Sequence, residues 1–317
     1  MKRYPAILGS FYNTPLCIHP AKAEEIAAFL DAKITGAAYD PQVAEEPQGY
    51  CLSPAGEQVA LDKMSAVSSG DSFLAVLPLF GTMYQHGGME MDYSGGTSTE
   101  KFGAQFSALD ANPAVKTIVI HTHSPGGQIW GTAELSDLIY AARERKQTRI
   151  VAAGNSMIAS AATWVATAAS KVYLTPGGEM GSVGVIMMHT DVSVAEEKRG
   201  IKRTIISTSD KKIEGHPYAP LADETAAAWL AECQQSLVKF HAALARNRET
   251  TPARVEGDFG GGGMLRAADA VKAGMADGVM SFRDVIGQEM ERLRVASVPR
   301  SKARANANDL LLAETLE

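Results

Sequence analysis

From Phe73 onward the chain repeats one local pattern: a short apolar run rich in β-formers, a turn marked by Gly or Ser, then a stretch with helical spacing. Phe73-Leu-Ala-Val-Leu-Pro-Leu-Phe80 reads as a buried strand, with Pro78 placing it at a sheet edge or ending it, because proline cannot donate to a central ladder. Residues 99–109 suit a helix, 114–121 a second buried strand, 132–145 an amphipathic helix and 149–153 a third strand. The small residues after Gly154, broken by Trp164, read as a tight turn into a helix packed closely on its neighbours. Strand, helix, strand, helix in this order implies parallel pairing through right-handed crossovers. The pattern therefore points to an α/β fold with a mostly parallel sheet.

Two places in that pattern carry chemistry. Ser124-Pro-Gly-Gly127 falls just past a strand, where parallel sheets bind ligands, and paired glycines bring backbone N–H groups close to a bound group. Ser160 falls near a helix start, where unpaired N–H groups and the helix dipole favour negative charge on an attacking oxygen. Each also has a plain structural reading: Pro-Gly-Gly is a turn, and small residues let helices approach.

Further on, residues 171–174 read as a short strand, 180–189 as a Gly-marked turn entering another strand, 191–200 as a helix stopped by Gly, and 202–206 as a strand. A polar loop then carries Lys211 and Lys212, followed by Ile213 and Gly215-His-Pro-Tyr218, rigid and apolar enough to pack. A packed lysine has a lowered pKa and can act as a base. Residues 225–247 form a long amphipathic helix, and Gly260-Gly-Gly-Gly263 a flexible turn. Before the sheet pattern, residues 1–70 read as an arm with one helix beginning at Pro20, able to dock on the core or on a partner. The loop around His86 is long enough to be functional or a mobile hairpin.

Composition narrows the function classes. A chain of 317 residues with 45% hydrophobic and 21% charged residues is ordinary globular material with a sizeable core. A net charge of -6 and a pI near 5.7 argue against a nucleic-acid footprint over the whole surface. Cys17, Cys51 and Cys233 give neither a disulfide framework nor zinc spacing, and suit a reducing compartment. No run approaches the roughly 20 apolar residues of a membrane span, and the start lacks the apolar core of a signal peptide, so a soluble, cytoplasmic product is expected.

Taken together, Ser124-Pro-Gly-Gly127, Ala159-Ser-Ala161, Gly181-Ser-Val-Gly-Val185 and Lys212-Ile-Glu-Gly-His-Pro-Tyr218 resemble the signal peptide peptidase A (SppA) family of Ser-Lys serine peptidases. Asn13-Thr-Pro-Leu16, His19-Pro20 and the stretch 263–279 point to its bacteriophage branch, the head maturation or capsid assembly proteases. The resemblance spans roughly residues 10–285. It implies a ClpP/crotonase-type βαβ spiral core, organised as an N-terminal arm (1–70), a peptidase domain (71–289) and a short C-terminal tail (290–317). It implies Ser160 as nucleophile, Lys212 as general base, Ser182 holding the lysine, and the backbone of Gly126 and Gly127 as the oxyanion hole, with no metal or cofactor.

It further implies a homo-oligomeric ring cleaving protein substrates such as scaffold, portal, capsid proteins or itself, in the host cytoplasm or inside the procapsid. Ile158-Ala-Ser-Ala-Ala-Thr163 departs from the Ser-Gly-Gly of many relatives, and the added methyls narrow the cleft. Lys211 is a rival base and Ser156 a rival nucleophile. A ClpP-like Ser-His-Asp peptidase using His189, a crotonase-like acyl-CoA enzyme and an inactive capsid-assembly protein are the alternative readings.

Overall fold

The computed structural model of the chain describes residues 11–35, 47–66, 72–86 and 96–297. In chain order the arm supplies β1 (Leu16–Ile18), α1 (Pro20–Thr35), β2 (Tyr50–Leu52) and β3 (Gln58–Ala60). The βα pattern follows with β4 (Phe73–Phe80), β5 (Met83–Tyr84), β6 (Thr97–Ser98), α2 (Thr99–Ala111), β7 (Val115–Ser124), β8 (Gly126–Gln128), α3 (Thr132–Arg145), β9 (Arg149–Ala159), α4 (Ala161–Ala166), β10 (Lys171–Leu174) and β11 (Glu179–Gly181). After these come α5 (Ser193–Lys198), α6 (Asp223–Asn247), α7 (Pro252–Asp258), β12 (Met264–Arg266), α8 (Ala267–Ala273), β13 (Gly278–Val279) and α9 (Phe282–Ser297).

The main sheet runs β12-β11-β9-β7-β4-β2-β3, with β10 branching from β9 and β13 pairing with β10. Its centre is the expected parallel set: β4 on β7, β7 on β9, and β9 on both β10 and β11. The strands read as near-continuous apolar runs because both faces are covered. On one face Ala75, Leu77, Ile118, Ile120 and Ile150 join the core under the crossover helices. On the other, Leu74, Val76, Val119 and Val151 meet Val285, Met290 and Leu293 of α9. The period-two alternation of a strand makes both layers from the same residues. Helix α9 thus continues past residue 289 to Ser297, with Met290 and Leu293 packed on the sheet.

Several local expectations shift. Pro78 does not put β4 at an edge, since β4 lies between β2 and β7. The β2 ladder reaches only Val76, so Pro78 sits where that side has no strand partner and its missing N–H costs nothing. Residues 202–206 form no strand, and Ile206 is 94% exposed. Residues 185–189 form no regular strand either, only a single bridge from Ile186 to Leu16. The glycine run at 260–263 is a turn whose Gly261 and Gly262 are exposed, while its last carbonyl abuts β11: a Cβ on Gly181 would come within 2.4 Å of the Gly263 oxygen.

The segment between β11 and the second half of α6 stands away from the core. Long helix α6 is exposed over much of its first half, then buries Phe240, Leu244 and Ala245, with Phe240 stacked on Trp164 of α4 at 4.6 Å. Asn247 closes this contact, donating from Nδ2 to Thr167 Oγ1 at 3.1 Å and to Ser136 Oγ at 3.3 Å. Among the described residues no helix is long and apolar enough to cross a membrane.

Candidate active site

Ser160 sits at the corner where β9 gives way to α4, and its backbone is held at φ 54° and ψ −116°. A residue with a Cβ costs on the order of 1–3 kcal/mol in such a conformation, so the surroundings must impose it. They do so through hydrogen bonds: the Ser160 N–H donates to the Gly181 carbonyl at 2.8 Å, and Thr163 Oγ1 donates to the same carbonyl at 3.0 Å and to Ile158 at 2.9 Å. The corner is aimed by an irregularity upstream. Between Thr122 and Ser124 of β7 the partner on β9 jumps from Gly154 to Ile158, and this bulge turns the end of β9 onto β11.

The hydroxyl of Ser160 lies in a fully enclosed place, 0% exposed, and its Oγ makes no hydrogen bond among the described groups. A buried hydroxyl without a partner carries a desolvation penalty, and such groups call for a functional explanation. Its neighbour across the cleft is Gly126, at φ 90°. A Cβ there would stand 2.9 Å from both Ser160 Cβ and the Ala161 N, so only glycine permits this approach. Gly127 is glycine for a different reason: a Cβ would stand 2.0 Å from the Met83 carbonyl oxygen of β5. Ser124, just before them, donates to the Gly81 carbonyl at 2.6 Å and accepts from the Gly126 N–H at 3.2 Å, which fixes the turn. With α4 confined to Ala161–Ala166, the close N–H groups around the corner matter more than the dipole of a long helix.

Ser182 follows Gly181 directly and is also held at positive φ, 53°, with its N–H donating to the Gly263 carbonyl at 2.7 Å. The structure therefore brings Ser160, Gly126, Gly127 and Ser182 to one place. Lys212 is not among them. It ends a short 3-10 turn, Asp210–Lys212, in the projecting segment, and is exposed where the sequence suggested packing. Neighbouring Lys211 is paired with Glu214 at 2.7 Å, and the hydrogen bond that its ammonium donates to that carboxylate holds its pKa above the usual lysine range.

The rival residues lie elsewhere. Ser156, in the β9 bulge at φ 86°, has its Oγ 2.9 Å from His123 Nδ1, on an exposed surface. His189 contacts the His216 carbonyl through Nε2 at 3.2 Å and faces Trp229, with no contact to Ser160. His86 pairs with Glu100 on the surface, and residues 87–95 of its loop lie outside the described residues.

The residue that sequence reasoning missed is Cys17. It is fully buried against Ser160, and burial first, then the nearby Cys233, pushes its thiol far above the usual range, with the Ser160 hydroxyl pulling weakly the other way. The signal was present in Leu16-Cys-Ile18, a short apolar run after Pro15, but the run is too brief to read as a strand by itself.

Residues 142–296 match the family model described as Peptidase family S49. Over that stretch, just under half of its length, the chain is similar to the S49 peptidases. That match includes Ser160, Ser182 and Lys212, while Gly126, Gly127 and the arm precede it. The chain is 29% identical over 231 residues to Capsid assembly protease C of Escherichia phage lambda, covering 71% of this chain and 52% of that protein. It is 29% identical to Head-tail preconnector protein GP5 of Enterobacteria phage P21, covering 69% and 44%, and 26% identical to Protease 4 of Salmonella typhi, covering 62% and 31%. The chain thus spans about half the length, or less, of the curated relatives it matches. A solved structure of a ClpP1 point mutant from Listeria monocytogenes superposes at a TM-score of 0.40 and 15% identity, covering 66% of this chain and 92% of that one.

Proposed function

We propose that the chain is a serine endopeptidase with a Ser160–Lys212 dyad. The observation that carries this reading is the corner at Ser160: a strained, fully buried hydroxyl beside the Cys17 thiol and set against a glycine strand. Lys212, as the free amine, takes the Ser160 proton as Oγ attacks the peptide carbonyl, and the oxyanion forms toward the backbone N–H groups of the Gly126-Gly127 stretch, which must first leave Ser124 Oγ and β1. The resulting ammonium protonates the leaving amine, and water then releases the acyl group by the reverse sequence. Ser182, next to the Gly181 whose carbonyl holds the Ser160 N–H, orients the lysine in this reading.

Lys212 is preferred to Lys211 because Glu214 keeps Lys211 charged, whereas among the described residues Lys212 has no ion-pair partner. Lys212 is exposed in the isolated chain, so this reading requires assembly to desolvate it. Exposed Ile201, Ile205 and Ile206 in the same segment favour a homo-oligomer, for which we propose a ring. The phage relatives named for capsid assembly and head-tail connection favour scaffold, portal or capsid proteins, or the chain itself, as substrates in the host cytoplasm or procapsid.

A fluorophosphonate followed by intact-mass measurement tests the dyad. One adduct per chain is expected on Ser160, absent in Ser160→Ala and strongly slowed in Lys212→Ala. The contact between Ser156 and His123 favours one second reading, a Ser-His couple in the β9 bulge. It predicts an adduct that survives Ser160→Ala and disappears in Ser156→Ala.

A further inference from the structure

Strand β1 belongs to the arm, yet it lies on the strand that holds the two glycines. Leu16, Cys17 and Ile18 pair antiparallel with Gln128, Gly127 and Gly126. On its other side Leu16 donates its N–H to the Ile186 carbonyl at 2.8 Å and accepts from the Ile186 N–H at 2.9 Å. Because Leu16 spends both backbone groups on Ile186, the alternation of an antiparallel ladder turns those of Cys17 toward Gly127. The Cys17 carbonyl oxygen accordingly lies so close to Gly126 that a Cβ there would stand 2.2 Å from it. Two more bonds extend the hold, from Asn13 N to Met188 O at 3.0 Å and from His19 N to Pro125 O at 2.7 Å.

This is the arrangement an extended peptide would need in order to be cut by Ser160. Strand β8 has two edges; β5 takes one, and β1 takes the other. With β1 gone, β8 and Ile186 would present unpaired backbone groups on either side of a slot one strand wide, with Ser160 on its floor. Side chains agree with the backbone. Cys17 points into the core at Ser160, while Leu16 and Ile18, of opposite parity, join Ile26, Phe29 and Leu30 of α1. Helix α1 thus staples the strand from outside.

We propose that residues 14–19 are a built-in occupant of the peptide-binding slot, a strand of this chain's own arm that seals the nucleophile until it is displaced. The occupant mimics an extended peptide that lays one small side chain, that of Cys17, against Ser160. The inference rests on the reading of Ser160 as nucleophile, and its test separates the two.

The full-length chain is compared with Leu16→Asp and Ile18→Asp, which weaken the staple without touching the site, and with the double variant Leu16→Cys/Ile186→Cys. A hydrogen-bonded antiparallel pair has a Cα spacing of about 5.5 Å, within the range of a disulfide, so this pair can lock the strand when oxidised. Losing one buried apolar side chain shifts a local opening equilibrium by about tenfold or more, so fluorophosphonate labelling of Ser160 should rise by that factor in the weakened variants. It should stop in the oxidised lock and return on reduction.

Equal labelling of the oxidised and reduced lock overturns the proposal. Binding of a fluorescent peptide copying residues 11–20 gives the second readout. If no form labels, but the peptide binds the weakened chains and not the oxidised lock, the seal stands and the nucleophile assignment falls. If the peptide binds the oxidised lock as well as it binds the weakened chains, the seal falls whatever labels.

Discussion

The sheet that carries Ser160 and the segment at 184–238 that carries Lys212 treat their apolar residues in opposite ways. In the sheet, Val76, Ile118, Ile120, Val151 and Ile158 are buried on one face or the other by helices of the same chain. In the segment, Val194, Ile201, Ile205, Ile206, Leu230 and Val238 are exposed. Half of the proposed site is therefore completed by the chain's own core. The other half rests on a surface whose apolar residues no described residue covers, and under the reading proposed above that surface is covered on assembly. A strained serine needs a rigid, over-determined frame, whereas a base can be brought to it by packing that forms later.

The sharpest way to break this contrast is Lys212→Ala. Turnover of a peptide substrate should fall by about a hundredfold or more, as for loss of a general base, while the melting temperature stays put because the side chain is exposed. A clear drop in melting temperature of the isolated chain would place Lys212 in the folded core instead. Next comes a pair of glycines. Gly127→Ala drives a Cβ into Met83 backbone and should cost on the order of 3 kcal/mol in a denaturant titration. Gly184→Ala, with nothing within 4 Å of its Cβ, should be near neutral. Equal costs would mean that the projecting segment is as tightly determined as the sheet.

Acid provides a further test. His121 of β7 is stacked on Phe282 at 3.6 Å with its Nε2 buried and unpartnered, and burial, aided by His123, pushes its pKa down to about 4. Protonation therefore favours the unfolded chain. Stability is complete above the ordinary histidine value of about 6.5 and is lost as the pH falls through the interval down to about 4. His121→Phe should flatten that part of the pH–stability curve, measured by urea midpoints. An unchanged slope would mean that the acid sensitivity lies outside the sheet. The smallest effect on the single chain is expected for Ile206→Ser, within about 0.5 kcal/mol, since its side chain is already in water. Sedimentation velocity should nonetheless show a weaker assembly. An unaltered oligomer would remove Ile206 from the proposed interface.

The parallel α/β core was legible because its information is local. Apolar runs of strand length, helical spacing between them and glycine-marked turns all act within a few residues, and handed crossovers leave few ways to join them. Ser160 and the Gly126-Gly127 turn could be singled out for the same reason, since each sits at a corner that its own neighbours define, whereas Ser182 was named only through the resemblance to a known family. Residues 202–206 misled because an Ile pair has strand character only when another strand accepts it, and among the described residues none does.

The packing of Lys212 was inferred from rigid, apolar neighbours, but composition cannot say whether a segment folds against its own chain. By itself, then, the sequence determined the layered sheet and the corner that strains one serine. Tertiary structure alone decided what lies over that serine. Strand β1 reaches β8 across more than a hundred residues through backbone hydrogen bonds, which any side chain can make and which therefore leave little mark in the sequence.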